Sequence, residues 1–159
     1  RLALAVITVV WHSENISDNN LLPMTREELK EYLPHREHML LVDEIDIDDG
    51  GICHASYKVK EDEFFCQGHF PDNPIVPGVI LCEIMAQSCA LLVKDEIKGK
   101  IPLYTGIDNL RFRQVVKPGD LCEVTARLKG RRGPMFFCEA VLLVDGSLCC
   151  KGELSFALI

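Results

Sequence analysis

The chain has no Cys-x-x-Cys pair, no low-complexity tract, no apolar run long enough to cross a bilayer and no surplus of basic residues. Each absence removes a class of function. Without Cys-x-x-Cys spacing, the eight cysteines carry no zinc-ribbon signal. Seventeen Lys and Arg against 24 Asp and Glu, a net charge of −7, argue against a general affinity for nucleic acid, which needs cations to displace phosphate counterions. With 48% hydrophobic and 26% charged residues, the composition is that of a globular domain, neither disordered nor fibrous, and 159 residues fit one domain. The first ten residues, RLALAVITVV, raise the question of a leader or membrane anchor. They fall short of the roughly 20 apolar residues a spanning helix needs, and no small-x-small cleavage signal precedes the polar stretch from Ser13 to Asn20. Met24 followed by TREELKEYLPHR reads as a natural start, so residues 1–23 are expected to be an extension, non-native or disordered, and residues 24–159 the single domain. Cys82, Cys89 and Cys138 lie inside apolar runs, where a free thiol behaves as a small core residue. That usage suits a reducing, cytoplasmic location.

What is present reads as one buried helix followed by strands. Thr25 with Glu28 three residues on makes a capping box for a short helix that Pro34 ends. MLLVDEIDI from Met39 and ICHASYKVK after Asp49-Gly50-Gly51 read as a hairpin. Three prolines and Gly68-His69 between Phe64 and Pro77 exclude a regular helix or central strand and predict a loop with fixed turns. VILCEIMAQSCALLVKDEI, free of Gly and Pro and apolar on nearly every side, reads as a single buried helix after Pro77-Gly78. Strands are expected over Leu103 to Phe112, Leu121 to Lys129, Phe136 to Val144 and Leu148 to Ala157, with turns at Lys117 to Asp120, Arg131 to Pro134 and Asp145-Gly146. The pattern is an α+β domain in which an antiparallel sheet covers the helix.

Two residues are out of place in a simple core. Glu83 is a carboxylate in the middle of the most apolar helix, where desolvation favours its neutral form and would let it serve as a general acid near neutral pH. His69 sits in a rigid Gly-His-Phe-Pro turn and is suited to take a proton from carbon. Gln87 lies at i+4 from Glu83 and can orient its carboxyl group. Gly78 stands where the helix begins, and free N–H groups there can polarise a thioester carbonyl and stabilise an enolate. Bland readings stand beside these. A lone His in a Pro-rich loop can be a turn residue, and Glu83 can pair with Arg111 or Arg113 or sit at an oligomer interface.

LPHREHMLLVDEI, then GHFPDNPIVPGVILCEIMAQ, then TGIDNLRFRQVVKPGD resemble, in order and from about Thr25 to the end, the 3-hydroxyacyl-[acyl carrier protein] dehydratases of bacterial fatty acid synthesis, the FabZ type. The resemblance implies a hot-dog fold, in which a long central helix is wrapped by a bent antiparallel sheet. It implies an enzyme, a hydro-lyase converting (3R)-3-hydroxyacyl-[acyl carrier protein] to the trans-2-enoyl form, with no metal or cofactor. It further implies a homodimer, in some members a trimer of dimers, with His69 of one subunit facing Glu83 of the other. His69 would take the C2 proton, Glu83 would assist departure of the C3 hydroxyl, and the Gly78 N–H would hold the thioester carbonyl. Phe70, Ile75, Val76 and Phe112 are candidates to line the acyl tunnel, with plain core packing as the alternative. Arg111, Arg113, Lys117, Arg131 and Arg132 are the candidate patch for the acidic acyl carrier protein, solvated turn charge being the alternative for the last two.

The sequence departs from the family pattern at Asp72, where a Gly is usual, which touches the turn beside His69. The bifunctional dehydratase-isomerases resemble this family but generally carry Asp where Glu83 stands. Rival expectations are an enoyl-CoA hydratase, an acyl thioesterase, and a non-catalytic acyl-binding module. The last needs neither acid nor base.

Overall fold

A computed structural model describes residues 22–70 and 72–159. The expected extension over residues 1–23 therefore lies almost wholly outside the described residues. Strand β1 (Met24–Thr25) runs into helix α1 (Arg26–Leu29). The Glu28 carboxylate accepts hydrogen bonds from the Thr25 N–H at 2.8 Å and the Thr25 hydroxyl at 2.7 Å, the returning half of the capping box. Strands β2 (Glu44–Ile47) and β3 (Cys53–Lys58) form the expected hairpin. Its turn is held by Asp48 Oδ1, which accepts from the N–H groups of Gly50 and Ile52, and by Gly51 at φ +76°, a conformation that glycine adopts without strain.

The first strand of that hairpin is shorter than the sequence suggests. Leu40, Leu41 and Val42 are fully buried but not in a strand. The reason lies in side-chain chemistry: the Met39 carbonyl and the Leu41 N–H bond to the Gln87 amide rather than to a neighbouring strand.

Between Phe64 and Pro77 the chain is mostly irregular, as expected, but Phe64–Gln67 forms one helical turn, α2. It fits because it ends at Gly68, before the prolines. The long helix is also interrupted. Helix α3 spans Gly78–Ser88, followed by a 3₁₀ turn over Ala90–Val93 and a short helix α4 (Lys94–Ile97). At the break, the Ser88 hydroxyl donates to the Ile84 carbonyl at 2.7 Å and the Cys89 thiol to the Met85 carbonyl. Such bonds compete with the helical ladder.

Strands β4 (Pro102–Phe112), β5 (Leu121–Arg132), β6 (Met135–Val144) and β7 (Ser147–Leu158) complete one antiparallel sheet in the order β1-β2-β3-β5-β6-β7-β4. Strand β5 continues through Arg131 and Arg132, so these are strand residues; the turn is confined to Gly133 and Pro134. Alternate residues of β5 and β6, among them Cys122, Val124, Ala126, Cys138, Ala140 and Leu142, face inward, the two-residue period of a half-buried strand. They pack on Ile84 and Met85 of α3, both fully buried. This is the expected α+β, hot-dog arrangement of a helix covered by a bent sheet. Strand β4 is the exception: it forms an edge and leaves Leu103, Tyr104, Ile107 and Phe112 exposed. All eight cysteines are free and buried. Among the described residues no helix is long and apolar enough to cross a membrane.

Candidate active site

Helix α3 carries Glu83 and Gln87 on one line. Glu83 and Gln87, one turn apart, meet through a 2.8 Å hydrogen bond from Gln87 Nε2 to Glu83 Oε1. Gln87 is only 2% exposed, and its other amide contacts fix its orientation. Nε2 also donates to the Met39 carbonyl at 2.7 Å, and the amide oxygen accepts from the Leu41 N–H at 2.8 Å. Both amide hydrogens are thus committed, and Gln87 orients Glu83 instead of offering a donor to a ligand.

The segment after Pro34 supplies a second neighbour. His35 Nε2 lies 3.3 Å from Glu83 Oε1. Tyr104, from edge strand β4, sends its hydroxyl to the Cys82 carbonyl at 3.0 Å, beside the carboxylate. Burial pushes the Glu83 carboxyl upward, but hydrogen bonding from His35 and Gln87, the charge attraction of His35 and the nearby Tyr104 hydroxyl outweigh it and hold Glu83 below the usual carboxylate value. The expectation that burial alone would keep Glu83 protonated near neutral pH is therefore corrected: the resting group is a carboxylate, because Gln87 on its own helix and His35 from the segment after Pro34 hold the charged form. Nor does it pair with Arg111 or Arg113. Gln87 and His35 both engage Oε1. The cavity beside it is lined by Leu33, His35, Ala86, Ala90, Leu103 and Phe156 among others.

His69 is held elsewhere. Its Nδ1 lies 3.0 Å from the Ile75 carbonyl. A carbonyl only accepts, so Nδ1 is the donor, and the neutral ring then carries its lone pair on Nε2. The ring is half-buried against Phe70, their centroids 4.2 Å apart. Phe70 itself has φ +61°, unusual for a bulky residue, and its carbonyl accepts from the Asn73 N–H at 2.8 Å. That turn accommodates the exposed Asp72. His69 does not line the Glu83 cavity of its own chain. One subunit does not bring the two together there.

Gly78 opens α3, where the first N–H groups have no intrahelical acceptor. A Cβ at Gly78 would stand 2.9 Å from Cε1 and Cζ of Phe112, so the absence of a side chain lets that ring lie on the helix start. Of the other tunnel candidates, Phe70 and Phe112 are more than half exposed, Ile75 is half-buried, and Val76 is 4% exposed within the core cluster. Val76 is a core residue in the single chain.

The basic candidates do not form one patch. Arg111 is level with Lys151 and, through it, with Val141, whereas Arg131 is level with Phe136. The two groups are separated by two intervening strands and five residues along β6, about 17 Å along the strand direction alone. Arg131 is also engaged, at 2.6 Å from Glu96 and stacked over Phe136. Arg111, Arg113 and Lys117 are exposed at the far end of β4, and Arg132 is exposed on β5.

His35 and Tyr104 were not singled out from sequence. The available signal was positional: His35 follows the helix-ending Pro34, and Tyr104 is an aromatic on a strand with little burial.

A FabA-like domain model matches residues 33–153. The 3-hydroxyacyl-[acyl-carrier-protein] dehydratase FabZ of Caldicellulosiruptor bescii is 44% identical over 135 residues, 83% of this chain and 96% of that protein. The protein of the same name from Clostridium perfringens is 43% identical over 137 residues, 85% of this chain and 99% of that one. Among solved structures, the dehydratase heterocomplex ApeI:P from Xenorhabdus doucetiae superposes with a TM-score of 0.69 at 19% identity, covering 87% of this chain and 92% of that one. The E. coli PaaI protein gives 0.55 at 12% identity, covering 71% and 80%. At such identities these two likenesses establish the fold alone. The family model and the relatives, together spanning the segments that carry His35, His69, Glu83 and Tyr104, establish more: the chain belongs to the FabA-like family and, within it, to the FabZ type.

Proposed function

We propose that this chain is a hydro-lyase that removes water from a (3R)-3-hydroxyacyl group carried on acyl carrier protein, giving the trans-2-enoyl thioester in fatty acid biosynthesis. The observation that carries this reading is Glu83: a carboxylate fixed through Oε1 beside a mostly apolar cavity. His69 is the base. With Nδ1–H tied to the Ile75 carbonyl, its Nε2 lone pair takes the C2 proton. The Gly78 N–H at the helix start holds the thioester oxygen, so the electrons released from C2–H are stabilised as an enolate before forming the C2=C3 bond. The C3–O bond breaks as the hydroxyl receives a proton through Glu83 and leaves as water. The reaction moves protons only and calls on no redox group.

A second copy of the chain completes the site. His69 is missing from the Glu83 cavity of its own subunit, and edge strand β4 exposes a row of large apolar side chains, a surface and an open edge that soluble proteins cover. In the dimer, His69 of one subunit serves Glu83 of the other. Phe70 and Phe112, both exposed and near His69 and Gly78 respectively, border the acyl path, with Ile75 behind them. Arg111, Arg113 and Lys117 receive the acidic carrier protein.

The test follows formation of the conjugated enoyl thioester from a 3-hydroxyacyl carrier-protein substrate. The native chain turns over; His69→Ala and Glu83→Gln each lose about 10³-fold or more. Mixing the two inactive variants with subunit exchange restores about a quarter of native turnover, because half the dimers are mixed and each of those has one intact site of two. No recovery on mixing would refute the shared site. Release of free carrier thiol without enoyl product would replace the dehydratase with a thioesterase.

A further inference from the structure

The chemistry assigned to Glu83 leaves one proton unaccounted for. Departing hydroxide needs a proton, yet the resting Glu83 is held as a carboxylate by its donors. A proton has to be stored next to it.

His35 is in place to store it. Its Nε2 is 3.3 Å from Glu83 Oε1, and both residues line one cavity. The backbone that carries His35 is built to hold it there. Arg36 donates to the carbonyls of Leu33, His35 and Lys30, so its guanidinium faces the backbone and not the imidazole. Arg26 grips both oxygens of Glu37 and reaches Val42 and Asp43. Gln87 then ties Met39 and Leu41 to the same helix that bears Glu83. The titratable groups beside the imidazole are therefore Glu83 from α3 and, past it, Tyr104 from β4. The other ring nitrogen, Nδ1, is buried and has no hydrogen-bond partner among the described residues. Among the described residues the polar contact of the ring is therefore the Glu83 carboxylate.

We propose that His35 is a positioning residue that stores the leaving-group proton and passes it to the Glu83 carboxylate, which hands that same proton to the departing C3 hydroxyl and is a carboxylate again. The inference rests on the dehydratase reading above. The protons balance. His69 gains the one lost from C2, the His35–Glu83 pair loses the one that completes water, and transfer through solvent from His69 to the pair resets the site. No other co-reactant is needed.

The experiment compares the native dimer with His35→Ala and His35→Gln on the carrier-bound 3-hydroxyacyl substrate. Gln can donate a hydrogen bond near the place of Nε2 but cannot store a proton. The expected result is a kcat lower by on the order of 10²-fold in both variants, the low end of what an acid–base group contributes. KM stays within about twofold and the melting temperature and dimer are retained, since a contact to Glu83 alone adds little to substrate binding. Imidazole added at neutral pH restores turnover to His35→Ala in proportion to its concentration, and leaves Glu83→Gln inactive. Full kcat in His35→Gln would overturn proton storage and leave only orientation of the carboxylate. Unchanged kcat in His35→Ala, or a drop that imidazole does not rescue, would overturn the proposal as well. Failure of the native dimer to make enoyl product would instead overturn the dehydratase reading itself.

Discussion

Replacing Gln87 with Leu tests how the site is built independently of any assay of turnover. Leu is close to Gln in volume and suits a helix, so the core stays filled. What is lost is the amide, which serves three groups: the Met39 carbonyl at 2.7 Å, the Leu41 N–H at 2.8 Å and Glu83 Oε1 at 2.8 Å. The Leu41 N–H is buried with a residue that is fully inaccessible. Without the amide it has no partner, and stranding two backbone groups costs about 3 kcal/mol at roughly 1–3 kcal/mol each, after some relief by water. The bond to Glu83 is left out of that sum because the carboxylate keeps contact with solvent and His35. For a domain of this size each kcal/mol moves the melting temperature by about 2–4 °C, so Gln87→Leu should melt roughly 6–12 °C below the native protein. Calorimetry measures it, and hydrogen exchange should show the Leu41 amide losing protection while those of β6 keep theirs. A melting temperature within 2 °C of native, about one-third of the smallest shift expected here, would refute the view that this side chain substitutes for a strand ladder along residues 39–42.

Glu83 is depressed below its ordinary value of 4.5 in the folded chain, so its contribution to stability is complete above about pH 4.5 and is lost as pH falls through the lower, folded value. Native protein should therefore exceed Glu83→Gln in urea-melt stability at pH 7, the difference shrinking as the pH is taken below 4; a difference that grows on acidification would contradict the donors assigned to Oε1. Arg111→Ala with Arg113→Ala should raise KM several-fold for a carrier-bound substrate but not for the same acyl group on a short pantetheine thioester, whereas Arg131→Ala, already tied to Glu96, should leave both KM values unchanged. Gly78→Ala should cost about 1 kcal/mol or less in stability, since the half-exposed Phe112 ring can swing away from the new methyl, yet lower kcat/KM by displacing that ring and covering the helix start. A ring that stays in place with unaltered kinetics would remove Gly78 and Phe112 from the substrate path.

The α+β class and most strand limits follow from patterns that act locally: turn residues at Asp49 to Gly51 and Asp145-Gly146, and alternation along β5 and β6. The departures occur where side chains compete for backbone groups across long sequence separations. Residues 40–42 read as strand because they are apolar, and nothing local says that their partner is an amide 46 residues away. The break after Ser88 depends on hydroxyl and thiol bonds back to Ile84 and Met85, which helical periodicity does not register. The same limit governs the site. Glu83 and Gln87 were legible as a pair because one helix turn sets their spacing, and their contact is present. Tyr104 and His35 reach Glu83 through tertiary packing alone, from a strand 21 residues later and a segment 48 residues earlier. Reading burial without those donors gave Glu83 the wrong protonation state. The basic residues failed as a patch for the related reason that neighbours in composition need not share an end of a sheet.

These contacts also explain how a carboxylate survives in the most apolar helix of the chain. A buried charge is tolerated only when its surroundings replace water's hydrogen bonds, and here Gln87 on the same helix and His35 on the segment after Pro34 supply contacts at Oε1, with the Tyr104 hydroxyl of edge strand β4, bonded to the Cys82 carbonyl, beside them. Each of the three is fixed by something else. Gln87 is bound to residues 39 and 41, His35 lies within a segment gripped by Arg26 and Arg36, and Tyr104 is anchored to the Cys82 carbonyl. Holding Glu83 therefore draws on the same segments that enclose its cavity. Of these three places, only β4 is a strand at the edge of the sheet among the described residues, and it exposes large apolar side chains. Dimer formation that buries β4 would fix Tyr104 and bring in the partner's base in one step, so an isolated subunit would lack both a complete catalytic pair and a settled environment for the half it holds.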